Sequence, residues 1–407
     1  MLKEYWRENR YELITAFFIF TNLFAIWFPQ WMYYVAFVLI YFKFSKFERI
    51  PHPKAGLFIG LIVFLWLTSI IGVTLDFRLV IFSFILYLFK PTGSVDLHKY
   101  KIKLLNAIYW GFGVATFANF YAKQIGVNMN RLAEENEKYK GFSEFSGFGS
   151  HSMWTSCAAA ISTIFFVSLA FRKNQMAAWQ RLACYGMILI SLYVTIISAS
   201  RSAFFLSLAC SALIIWLQTD KITSLMRNAL IVVFTILFFA PTLIENSTAM
   251  MHKKNGLQIT TENSSRAELW AERMAEFESS PIIGIGFAAH GVGANKVVGR
   301  NESGGGFMSV LAQGGIIGIL FIVLIWMAAT IMPKNVGDNP DIILIYSSFV
   351  FFSIHSFFEG YMFQAGWYLC LIIWLIIGVM IEHKTLPQEN EEVEKFGDEF
   401  NLVKYAE

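Results

Sequence analysis

The sequence predicts an all-α polytopic membrane protein of about 12 transmembrane helices, with one large polar loop that contains short helices. Three observations predict it. Of 407 residues, 56% are hydrophobic and 15% charged, with a mean hydropathy of +0.53, whereas a soluble chain carries about 25% charged residues. Apolar runs recur between short links from Tyr11 to Ile381. A single long stretch, 245–306, turns polar, charged and Gly-rich, with His252, Lys253, Lys254, Arg266, Arg273, His290, Arg300 and Glu302.

The apolar runs place spans at 12–29, 30–43, 55–75, 77–90, 104–122, 153–171, 182–199, 202–218, 228–244, 307–332, 341–355 and 366–382. The runs at 30–43 and 77–90 fall short of the ~20 residues of a straight span, but flanking aromatics extend them into the interfaces. An even count puts both termini on one side, and basic residues choose that side. With a cytoplasmic N-terminus, the inside links hold Lys3, Arg7, Arg10, Lys43, Lys46, Arg49, Lys54, Lys90, Lys99, Lys101, Lys103, Arg172, Lys173, Arg181, Lys221, Arg227 and Lys334, whereas the short outside links hold only Arg78 and Arg201. Losing either short span would break this alternation. The chain then divides into nine spans over 1–244 with a smaller outer loop at 123–152, a large outer loop at 245–306, three spans over 307–382, and an acidic cytoplasmic tail at 383–407. No cleavable signal peptide is expected, because the first apolar run continues into further spans.

Composition also excludes classes of function. A net charge of +3 is too small to suggest nucleic acid. Cys157, Cys184, Cys210 and Cys370 lie in apolar stretches and read as small packing residues. No cluster has metal-ligand spacing. No internal repeat of the transporter kind is seen.

Chemistry concentrates on the outer side. Arg201, in Ser200-Arg201-Ser202, sits between two strongly apolar spans. An arginine there is costly without an anionic partner. It either snorkels, pairs with a carboxylate, or binds phosphate through its guanidinium fork. In Asn263-Ser264-Ser265-Arg266-Ala267-Glu268-Leu269-Trp270, Ser264 or Ser265 caps a helix predicted to run through Phe277, with Glu268 placed for a capping box. Arg266 in the first turn opposes the helix dipole, and an anion shared with the free N–H groups would remove that conflict. The alternative is a solvated surface arginine.

Pro281-Ile282-Ile283-Gly284-Ile285-Gly286 allows tight turns. Glu302 precedes three glycines at the start of the tenth span, a candidate base on a hinge or simply a loop end. Gly314, Gly315 and Gly318 suggest close helix packing. His355 and Glu359, four residues apart, share a face if the helix continues that far, either as a proton acceptor with its orienting partner or as a structural pair. His290 and His151 are weaker candidates, and His52, His98 and His383 lie on the cytoplasmic side.

The order of these motifs resembles the superfamily of O-antigen ligases and Wzy-type polysaccharide polymerases. Ser200-Arg201 at the outer edge is followed by Ser265-Arg266-x-x-x-Trp270, then Ser280-Pro281-Ile282-Ile283-Gly284-Ile285-Gly286, then Gly314 to Gly318. The resemblance implies a bacterial inner-membrane glycosyltransferase with a periplasmic site. It would move a glycan from undecaprenyl pyrophosphate to an acceptor hydroxyl, with no cofactor and no metal ion. Its partners would be the lipid-linked donor, the glycan acceptor, membrane lipid, chain-length regulators and flippases. Arg201 and Arg266, with Ser200 and Ser265, would bind the pyrophosphate. Ligases of the family typically carry a histidine eleven residues before the position of Gly315, where this chain has Gly304. That departure implies a polymerase of O-antigen, capsule or exopolysaccharide, with a lipid A-core ligase as the alternative and a flippase as a third reading. The substitute base would be Glu302, then His290 or the His355–Glu359 pair.

Overall fold

The computed structural model describes residues 2–129, 145–172, 176–219, 265–298, 304–330 and 339–386. Within them the chain is helical: α1 (Leu2–Phe20), α2 (Trp31–Phe44), α3 (Ala55–Ile71), α4 (Phe77–Phe89), α5 (Val95–Gln124), α6 (Ser152–Ala170), α7 (Ala178–Ile197), α8 (Arg201–Gln218), α9 (Ser265–Ser279), α10 (Gly306–Thr330), α11 (Pro340–His355) and α12 (Tyr368–His383). The only strands among the described residues are β1 (Ala289–His290) and β2 (Val297–Val298), paired antiparallel. The predicted span at 228–244, Glu302, Arg300, half of the 123–152 loop and most of the tail lie outside the described residues.

Among the described residues, four helices (α6, α7, α8 and α10) are long and apolar enough to cross a membrane, and α2, α3, α4, α11 and α12 are shorter apolar helices. Two helices sit deepest. Nearly every residue of α12 and α6 is buried, so these mostly apolar or small-residue segments are wrapped by their neighbours. The outer surface keeps large apolar side chains exposed, among them Phe42, Leu67, Ile70, Phe205, Ile316, Leu320 and Met327. Water would not tolerate such a surface, and lipid does. Trp27, Trp31, Trp179 and Trp216 are also exposed and lie at or near helix ends, where interfacial tryptophans sit. The chain is a multi-pass helical membrane protein.

The first helix differs from the expected 12–29. It starts ten residues earlier and stops at Phe20, with turns through Phe28. Polar side chains end it. Thr21 Oγ1 donates back to Phe18 O at 2.7 Å. Asn22 is held across the bundle, donating to Gly366 O at 3.1 Å and accepting from Tyr368 N at 2.9 Å. This local capture competes with continued helix. Helix α5 is longer than its predicted span, because Ser94 caps it at Leu97 N (3.4 Å) and Asp96 lies in its first turn.

At one end of the bundle a buried charge network ties α5 to α12. Glu382 pairs with Lys101, accepts from Thr92 N at 2.8 Å, and lies 3.0 Å from His98 Nδ1. Arg172 pairs with Asp341 at the same end, joining α6 to α11. The opposite end carries α9 and the hairpin, and the candidate chemistry lies there.

Candidate functional site

The site is scaffolded by a backbone interlock. Helix α10 is not continuous: Gly315 has φ 60° and ψ −160°, outside the helical region. Into that break fits the Pro281–Gly286 loop. Ile316 and Ile317 donate to Pro281 O (2.9 Å) and Ile282 O (3.2 Å), while Ile285 and Gly286 donate to Ala312 O (3.0 Å) and Gln313 O (3.1 Å). The loop therefore supplies the partners that the broken helix loses. The fit requires two glycines. A Cβ on Gly315 would meet Ile282 O at 2.5 Å, and one on Gly284 (φ +72°) would meet Gly314 N at 2.5 Å. The expectation of close helix packing holds for Gly314 and Gly318, each facing Phe64 at 3.6 Å, but Gly315 instead receives a loop. Further pins come from Phe287 N to Ser69 Oγ (3.2 Å), Ala288 N to Gln313 Oε1 (3.0 Å) and Lys296 Nζ to Gly72 O (2.9 Å). The polar loop is thus clamped to α3 and α10.

Arg201 is the first residue of α8. Ser200 caps that helix, its Oγ accepting from Ala203 N at 3.4 Å. The link from α7 is Ser198–Ser200, and its tightness shows in Ala199, held at φ +56°. Arg201 is exposed, and no carboxylate among the described residues pairs with it. Arg266 is the second residue of α9, whose described span runs to Ser279 rather than Phe277, and Ser265 opens it. Both arginines therefore occupy a first helical turn, beside N–H groups without intrahelical partners.

Sequence reading missed a buried polar cluster on α9. Arg273 and Glu276, one turn apart, are 2% and 1% exposed. Arg273 Nη1 lies 2.7 Å from Glu276 Oε2, and Glu276 Oε1 accepts from Gly291 N at 2.6 Å. His290, next to Gly291, thus adjoins the pair. Burial lowers the pKa of His290 below its usual 6.5, with Arg273 and Arg78 lowering it further against Glu272. Its imidazole is neutral near pH 7. Burial raises the Glu276 carboxyl, against the Gly291 N–H and Arg273. The spacing Arg273-x-x-Glu276 was the available signal, since residues three apart meet on a helix.

At Gly304–Gly306 the chain passes between α9 and the turn after α11. Trp270 Nε1 donates to Gly304 O at 3.0 Å. Gly304 has φ +66°, and a Cβ there would press on Trp270 Cδ1 at 3.0 Å and Leu269 Cβ at 3.1 Å. Gly306 N donates to Ser356 O at 2.7 Å, and a Cβ on Gly306 would lie 3.2 Å from Glu359 O.

Helix α11 ends at His355 with Ser356 as its cap. Glu359 lies a turn beyond, its N–H donating to His355 O at 3.1 Å. His355 is fully buried, stacked on Phe351 and Tyr361 and 3.3 Å from Tyr361 Oη. Cys157 Sγ stands 3.7 Å from its Nδ1. This packing suits a structural histidine better than one meeting a substrate. Glu359 is half-buried. His151 caps α6, accepting from Met153 N at 3.2 Å. Among the described residues, no three His, Cys, Asp or Glu side chains gather as metal ligands.

Residues 186–323 match the family model described as O-antigen ligase. No curated protein and no solved structure matches the chain significantly. The matched stretch runs from α7 through Arg201, Arg266, the Pro281–Gly286 loop and the break at Gly315, so the interlock lies wholly within the part of the chain that is similar to the O-antigen ligase family.

Proposed function

We propose that the protein is a polysaccharide polymerase acting at the end of the bundle that carries α9, on the periplasmic side of a bacterial inner membrane. An acceptor hydroxyl on one lipid-linked repeat attacks the anomeric carbon of the donor glycan. The bond from that carbon to the pyrophosphate oxygen breaks, undecaprenyl pyrophosphate leaves, and the hydroxyl proton passes to a carboxylate. Arg201 and Arg266, each in a first helical turn, neutralise the charge growing on the leaving pyrophosphate, with Ser200 and Ser265 beside them. Glu302, two residues before Gly304, is the first choice of base, and Glu359 the second, because its backbone adjoins Gly306.

The observation that carries the polymerase reading over lipid A-core ligation is Gly304. Its left-handed backbone and its contacts with Trp270 and Leu269 disfavour a histidine at the position where ligases of the family use one. The test is elongation by the purified protein in nanodiscs, supplied with lipid-linked repeat units and no nucleotide sugar. Chain growth is expected. Arg201→Ala and Arg266→Ala should each lower it by about 10²–10³-fold while still inserting in the membrane. Full elongation by either variant removes the pyrophosphate assignment. Transfer to lipid A-core without chain growth would make the protein a ligase.

A further inference from the structure

We infer that Arg273, Glu276 and His290, with Trp270, form a saccharide-binding subsite on α9 and the hairpin. The guanidinium of Arg273 has one edge committed and one free. Nη1 faces Glu276, whereas Nε and Nη2 are buried with no hydrogen-bond partner among the described residues. Nε and Nη2 form a two-donor fork, the edge that receives a pair of oxygens. Glu272 Oε2 is 3.9 Å from Nη2, beyond hydrogen-bond reach. Two acceptors stand with it. Among the described residues, His290 Nδ1 is buried without a partner and Glu276 Oε2 makes no aligned hydrogen bond despite its closeness to Nη1. Buried polar groups left so are rare and costly unless something else satisfies them.

The charges decide what that is. Arg273 and Arg78 are offset by Glu276 and Glu272, and His290 is neutral. With carboxylates beside both arginines, the cluster is a poorer host for a phosphate dianion than a purely cationic site would be. A mixed set of donors and acceptors fits groups that both give and take hydrogen bonds, and adjacent hydroxyls on a sugar ring do both. Trp270 adds an apolar surface. It lies one turn before Arg273 on the same side of α9, is 43% exposed, and has its indole plane fixed by the bond to Gly304 O. A sugar ring with an apolar face and a polar rim matches that pairing.

The proposed glycosyl transfer supplies only the role of the bound sugar, as a residue of the acceptor or donor repeat. The experiment therefore reads binding apart from transfer. The full-length protein in nanodiscs is titrated by saturation-transfer difference NMR with methyl glycosides of glucose, galactose, N-acetylglucosamine and rhamnose, and separately with inorganic pyrophosphate. At least one glycoside is expected to bind saturably. Arg273→Lys keeps the charge facing Glu276 and removes the fork. It should weaken that glycoside about tenfold or more, the loss of one charge-assisted pair, and leave pyrophosphate binding unchanged. His290→Ala, at a half-buried position, should weaken the same glycoside and carries the test if Arg273→Lys does not fold by circular dichroism. Absence of saturable binding by any glycoside overturns the inference. So does a variant that binds sugar as the wild type does, or a loss confined to pyrophosphate. Should wild-type protein bind a glycoside through Arg273 yet fail to elongate lipid-linked repeats, the subsite stands and the polymerase reading falls.

Discussion

Replacing Gly284 with alanine adds one methyl group at the point where loop and membrane helix interlock. The new Cβ would lie 2.5 Å from Gly314 N and closer still to the carbonyl of Gln313. These are backbone atoms, so no rotamer change relieves the clash. Gly284 also has φ +72°, which costs an L-residue about 1–2 kcal/mol. Overpacking adds about 1–3 kcal/mol. A destabilisation of roughly 2–5 kcal/mol follows, relieved only by withdrawing the loop and breaking its bonds to Ala312 and Gln313. Gly186→Ala is the matched control, since a Cβ there meets nothing within 4 Å and helical Gly→Ala favours folding by about 0.5–1 kcal/mol. Thermal unfolding in nanodiscs, followed by the intrinsic tryptophan signal, should show Gly284→Ala melting well below wild type and Gly186→Ala at or above it. Limited proteolysis should cut 265–298 faster in Gly284→Ala alone. Wild-type melting and protease resistance in Gly284→Ala would refute the interlock.

Three further outcomes are expected. His290 has a folded pKa below its unfolded value near 6.5, so the folded state resists the proton that the unfolded state accepts; its contribution to stability is present above about pH 6.5 and is lost as the pH falls below it. The melting difference between wild type and His290→Asn should change with that sign between about pH 7.5 and 5.5, and an unchanged difference would show that His290 is not held neutral. Glu302→Gln should reduce elongation about 10²–10⁴-fold. Wild-type turnover would remove Glu302 as base and pass the role to test at Glu359→Gln. At the other end, Glu382→Gln leaves Lys101 buried without its counter-charge and should cost about 3–5 kcal/mol, measured by thermal unfolding. Lys101 is 0% exposed, so a variant with unchanged melting would mean that the pair is not buried as described.

The length of apolar runs located most of the helices because in a membrane length and apolarity are the dominant constraints. Its misplacement of α1 shows the limit of that signal. Asn22 ends the helix through partners more than 340 positions away, Gly366 and Tyr368, and no local window contains them. The same holds for the site. Arg201 and Arg266 were legible as costly or dipole-opposed cations, and the structure places each in a first helical turn. Arg273 was passed over as a loop charge, because burial and an empty guanidinium edge exist only once the hairpin covers α9.

The sequence by itself determined the membrane class, most helix positions, the family resemblance and the two candidate arginines, because composition, spacing and local charge are one-dimensional properties. Only the tertiary structure decided that Gly284 and Gly315 need each other, that Gly304 sits where a larger side chain is crowded, and that Glu276 meets the backbone of Gly291. Each of these depends on which backbone or charge lies within a few ångströms, and that is fixed by packing between segments far apart in the chain.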